Sequence, residues 1–236
     1  MDRDHNAEAA ALPHFQFDLL MHDMLLRTFE PFMDGVSALE MGCFEGNFTR
    51  LLRETYPDLT VVEASAQCIA KARARVPTDV LFIHSTFEAA ELDRRYDAIF
   101  LTHVLEHLDV PVLVLKRARE WLLPGGRIFI AVPNAHAASR QIAAHMGIMD
   151  TPESVTPAEA VHGHRRTYSR DALLLHIAQA GLKLAQDGGV CFKPMANFQL
   201  GAALDAGVID DNFLQGCYKL GRDYPELCAS LYAVCE

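Results

Sequence analysis

The apolar positions of this chain follow two rhythms. Phe15, Leu19, Leu20, Met24, Leu25 and Phe29 recur at spacings of four, one, four, one and four, which places them on one face of a helix. Pro31 and Gly35 close it. That helix either covers a sheet edge or forms a lid over a ligand pocket. The pattern then changes to short continuous apolar runs at 36–40, 59–63, 80–83, 98–102 and 127–132. Helical stretches at 46–55, 65–75 and 110–122 lie between them, stopped by Tyr56-Pro57-Asp58, Val76-Pro77-Thr78 and Pro124-Gly125-Gly126. Unbroken apolar strands alternating with helices predict an α/β fold whose mostly parallel sheet is covered on both faces.

Residues 133–168 break that rhythm with Pro133-Asn134, an alanine-rich helix, a Pro/Ser/Thr/Glu stretch and His162-Gly163-His164-Arg165-Arg166-Thr167-Tyr168. An excursion after the fifth strand leaves from the carboxyl edge of the sheet, where ligands bind in such folds. Ser169 caps a helix over 170–180, and Gly181 ends it. The remainder predicts a strand, a loop through Phe192-Lys193-Pro194, one or two helices from about Asp211 to Cys228, and a last strand Leu231–Cys235. No repeat or linker divides the chain, so one domain is expected over 1–236. It comprises an Ala-rich leader (1–11), a cap helix within 12–34, a cofactor-binding core at 36–135, an insertion or substrate lid at 136–168, and the C-terminal part of the sheet at 169–236.

The stretch Ser37-Ala38-Leu39-Glu40-Met41-Gly42-Cys43-Phe44-Glu45-Gly46 carries the chemistry. It reads as a strand, an acid at the strand's end, a glycine turn and a new helix. Glycines let backbone approach a ligand closely, and the helix start points free N–H groups at it. Seventeen residues past Gly46, the run Leu59-Thr60-Val61-Val62 ends in Glu63, placed to accept from ribose hydroxyls. The outline is a nucleoside-binding βαβ unit.

Composition narrows the partners. Of 236 residues half are hydrophobic, and 21 Lys+Arg stand against 31 Asp+Glu for a net charge of −10. Phosphate-backbone affinity comes mainly from basic residues, so no nucleic-acid partner is expected. No apolar run approaches the roughly 20 residues of a membrane helix. The polar start Met1-Asp2-Arg3-Asp4-His5-Asn6 lacks a secretory pattern, so a cytoplasmic location without membrane attachment is expected. The six cysteines are scattered without a C-x-x-C pair and read as free thiols.

Four segments together resemble the class I S-adenosylmethionine-dependent methyltransferases. Leu39–Gly46 is similar to the acid-x-Gly-x-Gly-x-Gly loop. Val62-Glu63-Ala64-Ser65 resembles the ribose-binding acid after the second strand. Tyr96–Leu108 resembles the fourth strand and its following loop, and Leu122-Leu123-Pro124-Gly125-Gly126-Arg127 the turn before the fifth. The family's middle glycine falls at Phe44. The resemblance implies a Rossmann-like, doubly wound, seven-stranded sheet with an antiparallel last strand. It implies S-adenosyl-L-methionine as cofactor, with Glu40, Gly42, Cys43 and Gly46 at its amino-acid part and Glu63 and Ala64 at the ribose. Ser85, Thr86 and Phe87 then follow the adenine edge, and Thr102 and His103 stand near the methionine.

Two histidine clusters carry rival readings. His103-Val104-Leu105-Glu106-His107 spells H-x-x-E-H, a zinc-hydrolase signature when both histidines share a helix face. The segment begins where a parallel strand ends and no separate third ligand is evident, so no metal is expected, and His103, directly after the strand, is the functional candidate. The cluster at 162–166 is a solvated basic loop, a source of a general base in His164, or an anion site using Arg165. The expectation is methyl transfer to an O or N atom of a small molecule, with an anionic sugar or natural-product intermediate as candidate acceptors, by a monomer or homodimer. His164, His103 and Arg165 are the catalytic candidates. A nicotinamide-dependent oxidoreductase and a non-catalytic cofactor-binding module are the alternatives.

Overall fold

The computed structural model describes residues 15–236. The leader at 1–11 and the start of the cap segment at 12–14 lie outside the described residues, as does the side chain of Phe15. Helix α1 (Phe15–Phe29) runs into a 3-10 turn at Glu30–Phe32. Next come β1 (Ser37–Met41), α2 (Asn47–Thr55), β2 (Asp58–Glu63), α3 (Ala66–Arg73), β3 (Leu81–His84) and β4 (Tyr96–Thr102). A 3-10 turn at Leu105–His107 leads to α4 (Pro111–Glu120) and β5 (Leu122–Pro133). The excursion contains α5 (Ala138–His145) and α6 (Pro157–Val161) and is followed by α7 (Arg170–Gln179). The chain closes with β6 (Leu184–Phe192), α8 (Asn197–Asp205), α9 (Asp211–Leu220), a 3-10 turn at Pro225–Leu227, and β7 (Cys228–Cys235).

The strands form one seven-stranded sheet in the order β3-β2-β1-β4-β5-β7-β6, with β7 antiparallel to both neighbours. Strand residues alternate between two cores, as the period of two requires. Ala38, Ala98, Phe100, Phe129 and Ala131 face one side, packed under α1, α2, α8 and α9. Leu39, Met41, Ile99, Leu101, Ile128, Ile130 and Val132 face the other, under α4 and α7. Phe29 seats α1 on the sheet, its ring 5.1 Å from Phe129, which stacks on Phe100 at 4.6 Å. The chain builds outward from β1 through β2 to β3, then returns to lay β4 on the other side of β1. That reversal opens a crevice at the carboxyl ends of β1 and β4.

Three expectations need correction. The buried stripe of α1 runs through Phe17, Met21, Met24, Leu25 and Phe29, while Leu19 is exposed. At 100° per residue Leu19 falls opposite that stripe, so the spacing pattern had chosen a face rotated from the one that packs. Helix α8 occupies a segment expected to be loop; it buries Leu200 but leaves Phe198 exposed. The turn Pro124-Gly125-Gly126 lies within β5, where pairing jumps from Tyr96–Leu122 to Ala98–Arg127 through an irregularity.

Candidate active site

The crevice is built first by backbone. Gly42 follows β1 with φ +83°, and a Cβ there would stand 3.0 Å from Val104 Cγ2 and 3.4 Å from Phe87 Cζ. Its hydrogen therefore keeps open the gap between the ends of β1 and β4. Gly46, also at φ +83°, lets α2 start against Ala72 of α3, where a Cβ would come within 2.8 Å of backbone. Phe44 stands where the family loop carries its middle glycine and adopts φ +48°. A bulky residue thus takes the left-handed conformation a glycine would take, at a cost of about 1 kcal/mol. His103, at the end of β4, is left-handed as well, with φ +56°. Such residues cluster where the surrounding structure holds them for function.

Glu63 ties the turn together. Its Oε2 accepts from the amides of Cys43 (3.1 Å) and Phe44 (3.2 Å), and its Oε1 from the Ser65 amide (2.9 Å). Oε2 is thereby filled, whereas Oε1 retains a lone pair for a donor from outside. Beneath the turn, buried Glu45 pairs with Lys71 and Arg75, both at 2.8 Å. Glu40 is buried at the end of β1, and its Oε2 lacks a hydrogen-bond partner, as does Oγ1 of Thr49. Burial raises the Glu40 carboxyl to about 8; the Thr49 hydroxyl opposes the shift and Glu63 adds to it. Ala64 is exposed at the rim, and its carbonyl meets His84 Nε2 at 3.0 Å. Ser85 binds the Glu63 carbonyl through its amide, Thr86 is exposed, and half-buried Phe87 packs beside Gly42. Thr102 Oγ1 is shielded without a partner.

These groups fit S-adenosylmethionine. A carboxylate with a spare lone pair on Oε1 suits a ribose hydroxyl, an aromatic wall suits adenine, and the orphaned oxygens of Glu40 and Thr102 await polar partners.

Histidines gather on the other bank. His103 Nε2 lies 3.2 Å from Ser230 Oγ. Burial depresses its imidazole to about 3, and the neighbouring His22, His164 and His107 push the same way. His22, on α1, sits against Phe48 at 5.4 Å between ring centroids and is lowered by burial to about 4. His107 is lowered to about 4, mainly by burial and then by His164; His164 is itself lowered by burial. All four are therefore neutral at pH 7. Glu106 is fully buried in the 3-10 turn, and burial raises its carboxyl to about 8. His103 and His107 do not share a helix face, because 103–107 is a bend followed by that turn. Arg165 is exposed and pairs with Asp109 at 2.5 Å, while Arg166 donates to the carbonyls of Leu108 and Asp109.

Among known proteins, residues 12–187 match a family model described as a methyltransferase domain. The chain belongs to that methyltransferase family. This methyltransferase is 28% identical over 177 residues to a ubiquinone biosynthesis O-methyltransferase of Parvibaculum lavamentivorans, covering 72% of this chain and 68% of the relative. Its Xylella fastidiosa counterpart is 24% identical over 172 residues, with 70% and 68% covered. Among solved structures, one resembling chain comes from the Haloferax volcanii complex between the Trm112 methyltransferase activator and a methyltransferase. It aligns with a TM-score of 0.66 at 17% identity, over 100% of this chain and 96% of that one. The N-methyltransferase NodS of Bradyrhizobium japonicum, in complex with S-adenosyl-L-homocysteine, aligns at 0.58 and 15% over 91% and 84%. The expected Rossmann-like sheet is borne out, and the cofactor of the methyltransferase is S-adenosyl-L-methionine. The oxidoreductase, the non-catalytic module and the zinc hydrolase fall away. No helix among the described residues is long and apolar enough to cross a membrane.

Sequence reasoning missed His22 and the Glu45 clamp. For the clamp a signal existed, since Lys71 and Arg75 are four apart on the segment facing the turn.

Proposed function

We propose that the chain methylates a hydroxyl oxygen of a small molecule. The observation that carries the reading is the row of neutral imidazoles, His22, His103, His107 and His164, beside the glycine turn at the switch point of the sheet. The ubiquinone biosynthesis O-methyltransferases among its relatives support oxygen over nitrogen. The acidic net charge supports a small acceptor over a nucleic acid. The excursion at 136–168 serves as the acceptor lid. The ion pair of Arg165 with Asp109 makes that arginine a support for the lid rather than a fork for an anionic acceptor.

When bound, the sulfonium supplies an already activated methyl group. The protein has to align the acceptor oxygen in line with that carbon and exclude water. Glu40, Gly42, Cys43, Gly46 and Thr102 line the amino-acid end, Glu63 and Ala64 the ribose, and Ser85, Thr86 and Phe87 the adenine edge. His103 accepts the hydrogen bond of the acceptor hydroxyl, orienting an oxygen lone pair toward the methyl carbon, and His164 closes the site from the lid. Because the hydroxyl becomes strongly acidic as the C–O bond forms, an imidazole of low basicity suffices to take its proton.

The test is calorimetric titration with S-adenosylhomocysteine, followed by product analysis over a panel of phenols, catechols and amines. A methylated hydroxyl product supports the reading; methylated amines alone, from a protein that binds the cofactor, overturn it. His103→Ala then lowers kcat at least about tenfold with cofactor affinity kept, and an unchanged kcat removes His103 from the mechanism.

A further inference from the structure

Glu106 has no use in the site as described. It is fully buried, and neither carboxylate oxygen has a hydrogen-bond partner. A folded protein rarely leaves such a group empty-handed. The neighbouring atoms complete a set: one ligand atom each from Glu106, His107 and His164 lies within 4.8 Å of the others. The two imidazoles meet edge to face at 4.7 Å, and Nδ1 of His164 is also buried without a partner.

Backbone holds these groups together without any ligand. The Arg165 amide donates to the Glu106 carbonyl at 2.9 Å, docking the lid loop on the 3-10 turn. Gly163, at φ +84°, brings the loop close to His107, whose Nδ1 lies 3.6 Å from where a Cβ would stand. The loop is fastened behind by the His164 amide to the Glu159 carbonyl (3.0 Å) and by the Glu159–Arg140 ion pair (2.5 Å). The H-x-x-E-H spelling named the wrong first histidine. His103 turns to Ser230, and His164, far along the chain, takes its place.

We propose that Glu106, His107 and His164 bind a divalent cation of the zinc, iron(II) or manganese(II) kind on the acceptor side of the methyl-transfer crevice. Two imidazoles and one carboxylate form the ligand set of catalytic zinc and of non-haem iron, and they leave coordination positions open. Val104, two residues before Glu106, stands against Gly42, so the segment that carries Glu106 and His107 borders the glycine turn. Resting on the hydroxyl reading, the inference adds the acceptor's chemistry: an oxygen ligand with a second oxygen next to it, as in a catechol or an α-hydroxy acid. The bound hydroxyl passes its proton to His103 as its oxygen forms the C–O bond. The C–S bond breaks, with its electron pair returning to sulfur.

The test uses the whole chain after chelator treatment, titrated calorimetrically with zinc and manganese and spectroscopically with cobalt(II). One equivalent is expected, with cobalt bands of a nitrogen- and oxygen-ligated site. Glu106→Gln and His164→Ala are each expected to weaken it at least about a hundredfold. Titration with S-adenosylhomocysteine shows that each variant is folded. Absence of a stoichiometric cation, or equal binding by wild type and both folded variants, overturns the site. Because binding is read without turnover, cation binding with methylated amines only would sink the hydroxyl reading alone, and hydroxyl methylation without cation binding this inference alone.

Discussion

The ends of β1 and β4 face each other across one crevice, yet they are built on opposite plans. At the β1 end, charges are spent on each other. Glu63 accepts three backbone amides, and Glu45 is clamped by Lys71 and Arg75. At the β4 end, buried polar groups stand without partners: both oxygens of Glu106, Nδ1 of His22 and of His164, and Oγ1 of Thr102. The first bank is preorganised for a ligand of fixed shape. The second is held in place by backbone and leaves its side chains for something from outside. Glu40 and Thr49 are exceptions on the first bank, and Glu40 lies where the amino-acid end of the cofactor is assigned.

The largest expected effect comes from cutting the first bank's knot. Glu63→Ala removes the acceptor of the Cys43 and Phe44 amides and the ribose carboxylate together. Affinity for S-adenosylhomocysteine should fall about a hundredfold, near 3 kcal/mol, since a charged hydrogen bond contributes about 1.5–3 kcal/mol. Calorimetry on the folded variant reads it directly, and wild-type affinity would contradict the ribose assignment.

A smaller effect separates structure from binding on the same bank. Glu45 is 5% exposed, but Lys71 and Arg75 are 37% and 39% exposed, so solvent screens part of the pair. Glu45→Ala should cost about 2 kcal/mol of unfolding free energy, read as a lower urea midpoint at unchanged slope. A midpoint equal to wild type would show that the clamp is ornamental.

How far this plan could be read from the sequence differs between the banks. The first bank is local: a strand, an acid, glycines and a second acid at set spacing, all in one βαβ unit. Its positions follow from patterning and steric rules, and even Phe44 keeps the left-handed backbone of the glycine it replaces. The second bank is assembled by long-range contacts. His164 reaches Glu106 only because the Arg165 amide finds the Glu106 carbonyl, and no periodicity encodes that bond. His22 was hidden for another reason. With the stripe of α1 drawn through Leu19 and Leu20, a histidine at 22 has no assigned surroundings; with Phe17, Met21 and Leu25 buried, it packs on Phe48 near His103. Helix α8 was missed because Gly201, a weak helix former, stands in its middle and, among its residues, only Leu200 is buried.

The smallest effect tests the second bank through protons. His22 is held near 4 in the folded chain, against 6.5 for an unburied imidazole. Above pH 6.5 both folded and unfolded forms are neutral there, and the group has no pH-dependent effect. Below it the unfolded chain takes up a proton that the folded chain refuses until about pH 4, so stability falls as pH drops through that window. His103 and His107 act in the same direction, whereas Glu40 and Glu106, raised to about 8, oppose them by losing stability as pH rises from the ordinary carboxylate range. Comparing wild type with His22→Phe cancels those shared contributions. Between pH 7 and pH 5.5 the wild type should lose about 1 kcal/mol more than the variant, measured by urea unfolding at each pH. Parallel curves would mean that water reaches His22 and that the second bank is wetter than its orphaned atoms imply. A gap that widens toward acid marks it as dry, which is the condition under which an imidazole stays free to meet an acceptor.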